Sequence, residues 1–194
     1  MVASIPEHVE IERRFLVDGR GAKPWREAET QYAIQQHYAV APHLALEGHA
    51  LSCDGVAVAT LTEEQVVIYR QTDAWVSRLR QRNEAWFLTY KSRLTSDSAY
   101  ELEWEITASA AQTLLRFGPF PCVEKTRYVW PDADGFLWEI DEFEGGLAGL
   151  VLAEIELEHS EQNVVVPDWM GQEITGLSSW SNRALAETLA SRMG

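Results

Sequence analysis

The sequence predicts a mainly β (α+β) domain, a mostly antiparallel barrel with a few flanking helices. Two observations carry this reading. First, ten acidic residues fall into alternating runs: Glu10-Ile11-Glu12, Glu101-Leu102-Glu103-Trp104-Glu105, Glu139-Ile140-Asp141 and Glu154-Ile155-Glu156-Leu157-Glu158. Second, basic residues alternate in the same way in Arg78-Leu79-Arg80-Gln81-Arg82, Lys91-Ser92-Arg93 and Lys125-Thr126-Arg127. Alternation sends successive side chains to opposite faces, which is the mark of a strand. Each strand then has one charged and one apolar face. An open sheet backed by helices would cover the apolar face, and so would a closed barrel under outer helices. In the closed form the charges line a polar tunnel. Crowded carboxylates repel one another unless cations join them. Such a wall therefore offers oxygen ligands for Mg2+ or Mn2+ and cations for a small polyanion.

In chain order, Val9 to Val17 reads as the first strand, ended by Asp18-Gly19. A short helix is expected from about Pro24 to Ala33, then a strand over Ile34 to Val40. The stretch from about 42 to 65 carries turn signals at Glu47-Gly48 and Asp54-Gly55 and reads as an inserted hairpin or a loop. Val66 to Arg70, Ala74 to Arg82, Ala85 to Arg93 and Tyr100 to Thr107 read as strands. Ser109 to Phe117 has helical spacing and stops at Gly118-Pro119. Val123 to Trp130 and Phe136 to Phe143 form a hairpin through Pro131-Asp132-Ala133-Asp134-Gly135, and Leu150 to Glu158 is a strand. Pro167 to Thr175 is expected to be a short helix, and Ser181 or Asn182 caps a last helix through Arg192.

The 194 residues fit one domain, 1–194, with a sizeable core. A formal net charge of −14 argues against nucleic acid and anionic membranes as general partners, while allowing a polyanion in a local basic site. Cys53 and Cys122 lack metal-site spacing and read as free thiols in a reducing, cytoplasmic setting. The five histidines show no ligand spacing, and the eight tryptophans read as outer-face core. A homodimer is left open.

The motifs resemble the triphosphate tunnel metalloenzyme superfamily, also called the CYTH domain superfamily. Glu10-Ile11-Glu12-Arg13-Arg14 is similar to its Glu-x-Glu-x-Lys signature. Ile34-Gln35-Gln36-His37-Tyr38 resembles its second strand, with His37 in place of a Gly. Arg78-Leu79-Arg80, Leu88-Thr89-Tyr90-Lys91, Glu103-Trp104-Glu105, Lys125-Thr126-Arg127, Glu139-Ile140-Asp141 and Glu154-Ile155-Glu156 follow in family order. The tail, Trp169 to Thr175 and Ser181-Asn182-Arg183-Ala184-Leu185, is also similar. The resemblance spans most of the chain except an atypical insertion at about 42–65, expected to cover a tunnel mouth. Arg14 stands where the family has Lys, and Ser98-Ala99-Tyr100 carries no base where the family tends to place an Arg. Arg82 or Arg93 is the candidate substitute for it.

The resemblance implies a closed eight-stranded antiparallel barrel forming a charged tunnel that binds a triphosphate and divalent metal. It implies Glu10, Glu12, Asp141, Glu154 and Glu156 as ligands for Mg2+ or Mn2+. Arg14, Arg78, Arg80, Lys91, Lys125 and Arg127 would clamp phosphates, with Arg14 and Lys91 also stabilising charge in the reaction. Glu103 and Glu105 would hold a second metal or orient water. The activity implied first is hydrolysis of inorganic tripolyphosphate. Nucleotide or thiamine triphosphate hydrolysis, a class IV adenylate cyclase and a non-catalytic polyphosphate-binding module are the alternatives.

Overall fold

The computed structural model describes residues 8–193. Eight antiparallel strands close into a barrel. They are β1 (Val9–Val17), β2 (Thr30–Tyr38), β6 (Val76–Arg82), β7 (Ala85–Arg93), β8 (Ser98–Ile106), β9 (Cys122–Pro131), β10 (Leu137–Phe143) and β11 (Val151–Glu156). Round the wall the order is β1-β11-β10-β9-β2-β6-β7-β8, and β8 returns to β1. The last seam is short. Only Val9 to Ile11 of β1 pair with β8. Further along, β12 (Met170–Glu173) takes over the same edge through Phe15 and Val17.

The pleat sorts the side chains as the alternation predicts. On β1, Phe15 and Val17 are buried outside the wall in a cluster with Trp25, Trp138, Ile140 and Ile155. On β6 to β8, the outward Leu79, Leu88, Tyr90, Leu102 and Ile106 form a second cluster. It is covered by Ala110, Ala111 and Leu114 of α2 (Ala108–Leu115) and by Val66 of α1 (Glu63–Gln71). A third cluster joins Tyr38, Val123, Phe143, Leu152 and Ile174 to Ala186, Leu185 and Leu189 of α3 (Asn182–Met193), so α3 stops one end of the barrel.

Four expectations are corrected. The helix expected from about Pro24 to Ala33 is a single 3-10 turn, Pro24–Glu27, and the strand expected from Ile34 already starts at Thr30, because Thr30 to Ala33 pair with Val129 to Thr126 of β9. The segment expected to cover a tunnel mouth is a separate sheet of β3 (Ala45–Glu47), β4 (Ala50–Cys53) and β5 (Val56–Thr60). Its Leu51, Cys53 and Val58 pack into the β6–β8 outer cluster, so it roofs the wall. Val66 to Arg70 is not a strand but part of α1. Thr62 accepts from Gln65 N while the Gln65 side chain accepts from Thr62 N, a reciprocal cap that starts a helix. The run was too short for its period to decide. Pro167 to Thr175 holds β12 rather than a helix. A Cβ on Gly171 would sit 2.6 Å from the Leu16 carbonyl oxygen, so only glycine permits this close approach to β1.

Candidate active site

The inward faces carry the charges. Around β6, β7 and β8 the register sets Arg78 opposite Thr89 and Thr89 opposite Glu103. Arg78 donates to Thr89 Oγ1 at 3.0 Å, and Thr89 donates to Glu103 at 2.6 Å. Arg80 reaches the same carboxylate at 2.7 and 2.8 Å. Burial alone would raise Glu103, but Arg80 and Arg78 overcome it and hold the carboxyl below its usual range. One step along, Lys91 lies opposite Glu101 and donates to Glu10, with Glu12 at 3.3 Å. Burial opposes its charge, yet Glu10, Glu12 and Glu101 keep Lys91 protonated above its ordinary value.

The opposite wall is closed by ion pairs. Asp141 accepts from Lys125 and, at 2.7 Å each, from Arg127 Nε and Nη2. Arg127 also donates to Glu139 and, at 3.1 Å, to Glu154. Arg14 sits across from Glu154 in register and meets it at 2.6 Å. Burial would raise Glu154, but Arg14, Arg127 and Lys125 reverse this and drive it well below the carboxylate range. Glu156 behaves oppositely. It lies opposite Glu12 at the exposed end of β11, outside the cavity lining, and partial burial of its carboxyl with the charges of Glu10 and Glu139 pushes it up to about 7. Among the described residues Glu156 has no ion-pair partner.

A cavity of about 420 Å³ opens where the β1–β8 seam is short. Its wall includes Glu10, Glu12, Arg14, Arg78, Thr89 and Lys91. The segment from Ile174 to Arg183 forms its other side. This segment is pinned to the barrel. Ile174 N donates to the Arg14 carbonyl at 2.8 Å, and Arg93 donates to the Gly176 carbonyl at 2.9 Å. Gly176 holds φ of +77°, with Ser96 packed 3.0 Å from where a Cβ would stand.

The structure thus gathers most of the expected residues, but on two levels. Glu10, Glu12, Arg14, Arg78 and Lys91 border the open cavity. Lys125, Arg127, Asp141 and Glu154 form the closed cluster beyond it. Arg80 and Glu103 lie between, joined to Arg78. Glu105 is exposed and does not line the cavity. Of the two candidate substitutes, Arg93 lines the cavity, whereas Arg82 stacks on Tyr32 and Phe87. Among the described residues no three Asp, Glu, His or Cys side chains already converge as a metal-holding group, because Asp141, Glu154, Glu10 and Glu12 each turn an oxygen to a basic side chain. Cys53 and Cys122 are free.

Three cavity residues escaped the sequence reading. Thr89 was visible as the inward neighbour of Lys91 in the same alternation. Tyr38 faces inward and donates to Gln36 at 2.9 Å, and burial pushes its hydroxyl up to about 12. Asn182 stands in the sequence as an alternative cap and as part of the family-like tail, neither of which assigns it to the cavity.

The CYTH domain profile matches residues 62–185. An inorganic triphosphatase of Acetivibrio thermocellus is 38% identical over 127 residues, 62% of this chain and 81% of the relative. An inorganic triphosphatase of Nitrosomonas europaea is 38% identical over 117 residues, 59% of this chain and 77% of the relative. The crystal structure of the inorganic triphosphatase NE1496 aligns over 96% of this chain and 95% of its own, with a TM-score of 0.55 and 29% identity. The profile lies wholly C-terminal to β1 and β2, yet those strands complete the same barrel. The chain belongs to the CYTH domain family.

Proposed function

We propose that this chain is a metal-dependent inorganic triphosphatase, a single CYTH domain that hydrolyses tripolyphosphate with Mg2+ or Mn2+. The observation that carries the reading is the cavity wall, where Arg14, Arg78 and Lys91 face one small volume beside Glu10 and Glu12. Phosphoanhydride hydrolysis needs little covalent chemistry from the protein. It needs charge neutralised on the phosphates and a water held in line. Arg14, Arg78 and Lys91 bind the phosphate chain from the cavity, with Arg80 behind them. Lys125 and Arg127 form the deeper end of the clamp. Charge building on the bridging and terminal oxygens is met by these fixed cations in a half-buried site. The relatives named inorganic triphosphatases support the choice of substrate.

The donor set suits a hard divalent cation. Glu12 and Glu156 stand directly opposite as like charges, with Glu10 beside them, and carboxylate oxygens are what Mg2+ and Mn2+ take. Glu10, Glu12 and Glu156 would hold such an ion, which when bound neutralises phosphate charge. Glu154 and Asp141 join them only by releasing Arg14, Arg127 and Lys125 to the phosphates, an exchange that ties metal binding to substrate binding. Glu103 organises Arg78 and Arg80. The charge of −14 and the local basic wall favour a small polyanion over nucleic acid. No helix among the described residues is long and apolar enough to cross a membrane. A cytoplasmic location belongs to the same proposal.

Phosphate release from tripolyphosphate, ATP and thiamine triphosphate, each with Mg2+ and Mn2+, tests it. Tripolyphosphate is expected to turn over fastest. Equal rates for ATP, or cyclic AMP as the main product, would overturn the assignment.

A further inference from the structure

Two residues that line the cavity, Asn182 and Arg14, each carry a buried polar atom without a protein partner among the described residues. Asn182 is only 8% exposed, and its Oδ1 accepts no hydrogen bond among the described residues. The Arg14 Nε–H has no acceptor, although its Nη atoms reach Glu154 and the Trp180 carbonyl. A buried polar group left unpaired is destabilising, so an arrangement that keeps two implies something that completes them.

Asn182 is not occupied as a cap. Ser181 does that work, its Oγ accepting from Ala184 N at 3.2 Å. Asn182 is instead the first residue of the twelve-residue α3. Backbone N–H groups in the first turn of a helix have no carbonyl four residues back to meet, and the helix dipole adds positive potential there. This end therefore attracts a phosphate. The amide oxygen of Asn182 cannot itself face a phosphate oxygen, since both are acceptors. It needs a donor at the place where the phosphate ends. The position is fixed, because Arg14 reaches the Trp180 carbonyl and Arg14 N donates to Thr175 Oγ1 at 3.1 Å.

We propose that Asn182 is a positioning residue for the water that attacks the terminal phosphorus, its Oδ1 accepting a hydrogen bond from that water. The inference rests on the tripolyphosphate reading. The water oxygen bonds to the terminal phosphorus, and the bridging P–O bond breaks with its electron pair going to the departing diphosphate. One water proton stays on the new orthophosphate, and the other passes to a product phosphate oxygen. Asn182 takes no proton. It sets the angle of approach, and Arg14 Nε–H is the second unpaired group among the cavity's lining residues.

Asn182→Ala removes the acceptor. Misplacing a reacting atom by about 1 Å costs on the order of 10²-fold in rate, so kcat on tripolyphosphate is expected to fall by about that factor. KM should stay within roughly threefold, because phosphate clamping is untouched. Asn182→Asp keeps the oxygen and the size of the side chain. Its kcat should stay within roughly tenfold of wild type, with KM raised by repulsion of the phosphates. Circular dichroism and melting of both variants report the fold, and the aspartate variant keeps the test usable where alanine perturbs α3. A higher KM with kcat unchanged in Asn182→Ala, or no change in either constant, overturns the inference while wild-type turnover leaves the hydrolase reading standing. A wild type that does not hydrolyse tripolyphosphate overturns both.

Discussion

Asp141→Asn is the perturbation whose cost the structure defines best. Asp141 is fully buried and is the shared acceptor for Lys125 and for two nitrogens of Arg127 at 2.7 Å. The side chains of these cations are 0% and 8% exposed, so neither reaches water once the carboxylate is gone. Removing one partner of a buried ion pair costs about 3–5 kcal/mol. Glu154 and Glu139 still hold Arg127, which places the cost near the lower end, about 3 kcal/mol. For a chain of this size, about 2–4 °C of melting temperature per kcal/mol gives a fall of roughly 6–12 °C. Lys125→Met should cost less, because Arg127 keeps Asp141 bidentate. The pH dependence has a definite sign. Burial opposes the Asp141 charge, but Arg127 and Lys125 prevail and lower its folded value. Its stabilisation is therefore complete above the unfolded carboxylate value of about 3.9 and is lost as pH falls through the lower folded value. Thermal melting of wild type and variant from pH 3 to 8 should show a gap that closes only below about pH 4. Equal melting temperatures at pH 7 would refute the claim that this cluster is held by its charge.

Glu156→Gln should act in the other direction. Glu156 is raised to about 7, so its ionisation between about pH 4.5 and 7 favours the unfolded chain. Without divalent ions, melting curves of the variant should lack part of the loss that wild type shows as pH rises through this window; a variant less stable than wild type at pH 8 would contradict this. Arg14→Ala should lower turnover by on the order of 10²-fold, while Arg14→Lys retains it, since a cation facing phosphate is what the position needs; calorimetric tripolyphosphate binding with phosphate release on both variants decides it. Glu103→Gln frees Arg78 and Arg80 from their shared carboxylate and should reduce kcat, whereas exposed Glu105→Gln should leave kcat and KM at wild-type values. A large loss in Glu105→Gln would restore its catalytic role.

Where alternation was long, the fold was legible. Every barrel strand was found, and β1 and β7 were read to the residue, because each keeps an apolar face under the outer clusters. Alternation failed where elements were short. Helix α1 buries little besides Val66 and depends on its Thr62–Gln65 cap, while β12 depends on Gly171 lying against Leu16. Inward residues were legible for the same reason as strands, yet their pairing was not. Carboxylate repulsion describes Glu156 but not Glu154, which lies in register with Arg14 and within reach of Arg127. Register between distant strands decides which charge meets which, and a single strand's pattern does not contain it. Asn182 was illegible because its environment comes from β1 and the Ile174–Arg183 segment meeting at the seam.

The most direct test is a phosphorus NMR time course of the wild-type protein with tripolyphosphate, with and without Mg2+ or Mn2+. With metal, tripolyphosphate is expected to disappear as orthophosphate and pyrophosphate appear in equal amounts, and without metal it should persist. A protein that binds tripolyphosphate by calorimetry yet leaves its spectrum unchanged with either ion would contradict the account and make the barrel a polyphosphate-binding module.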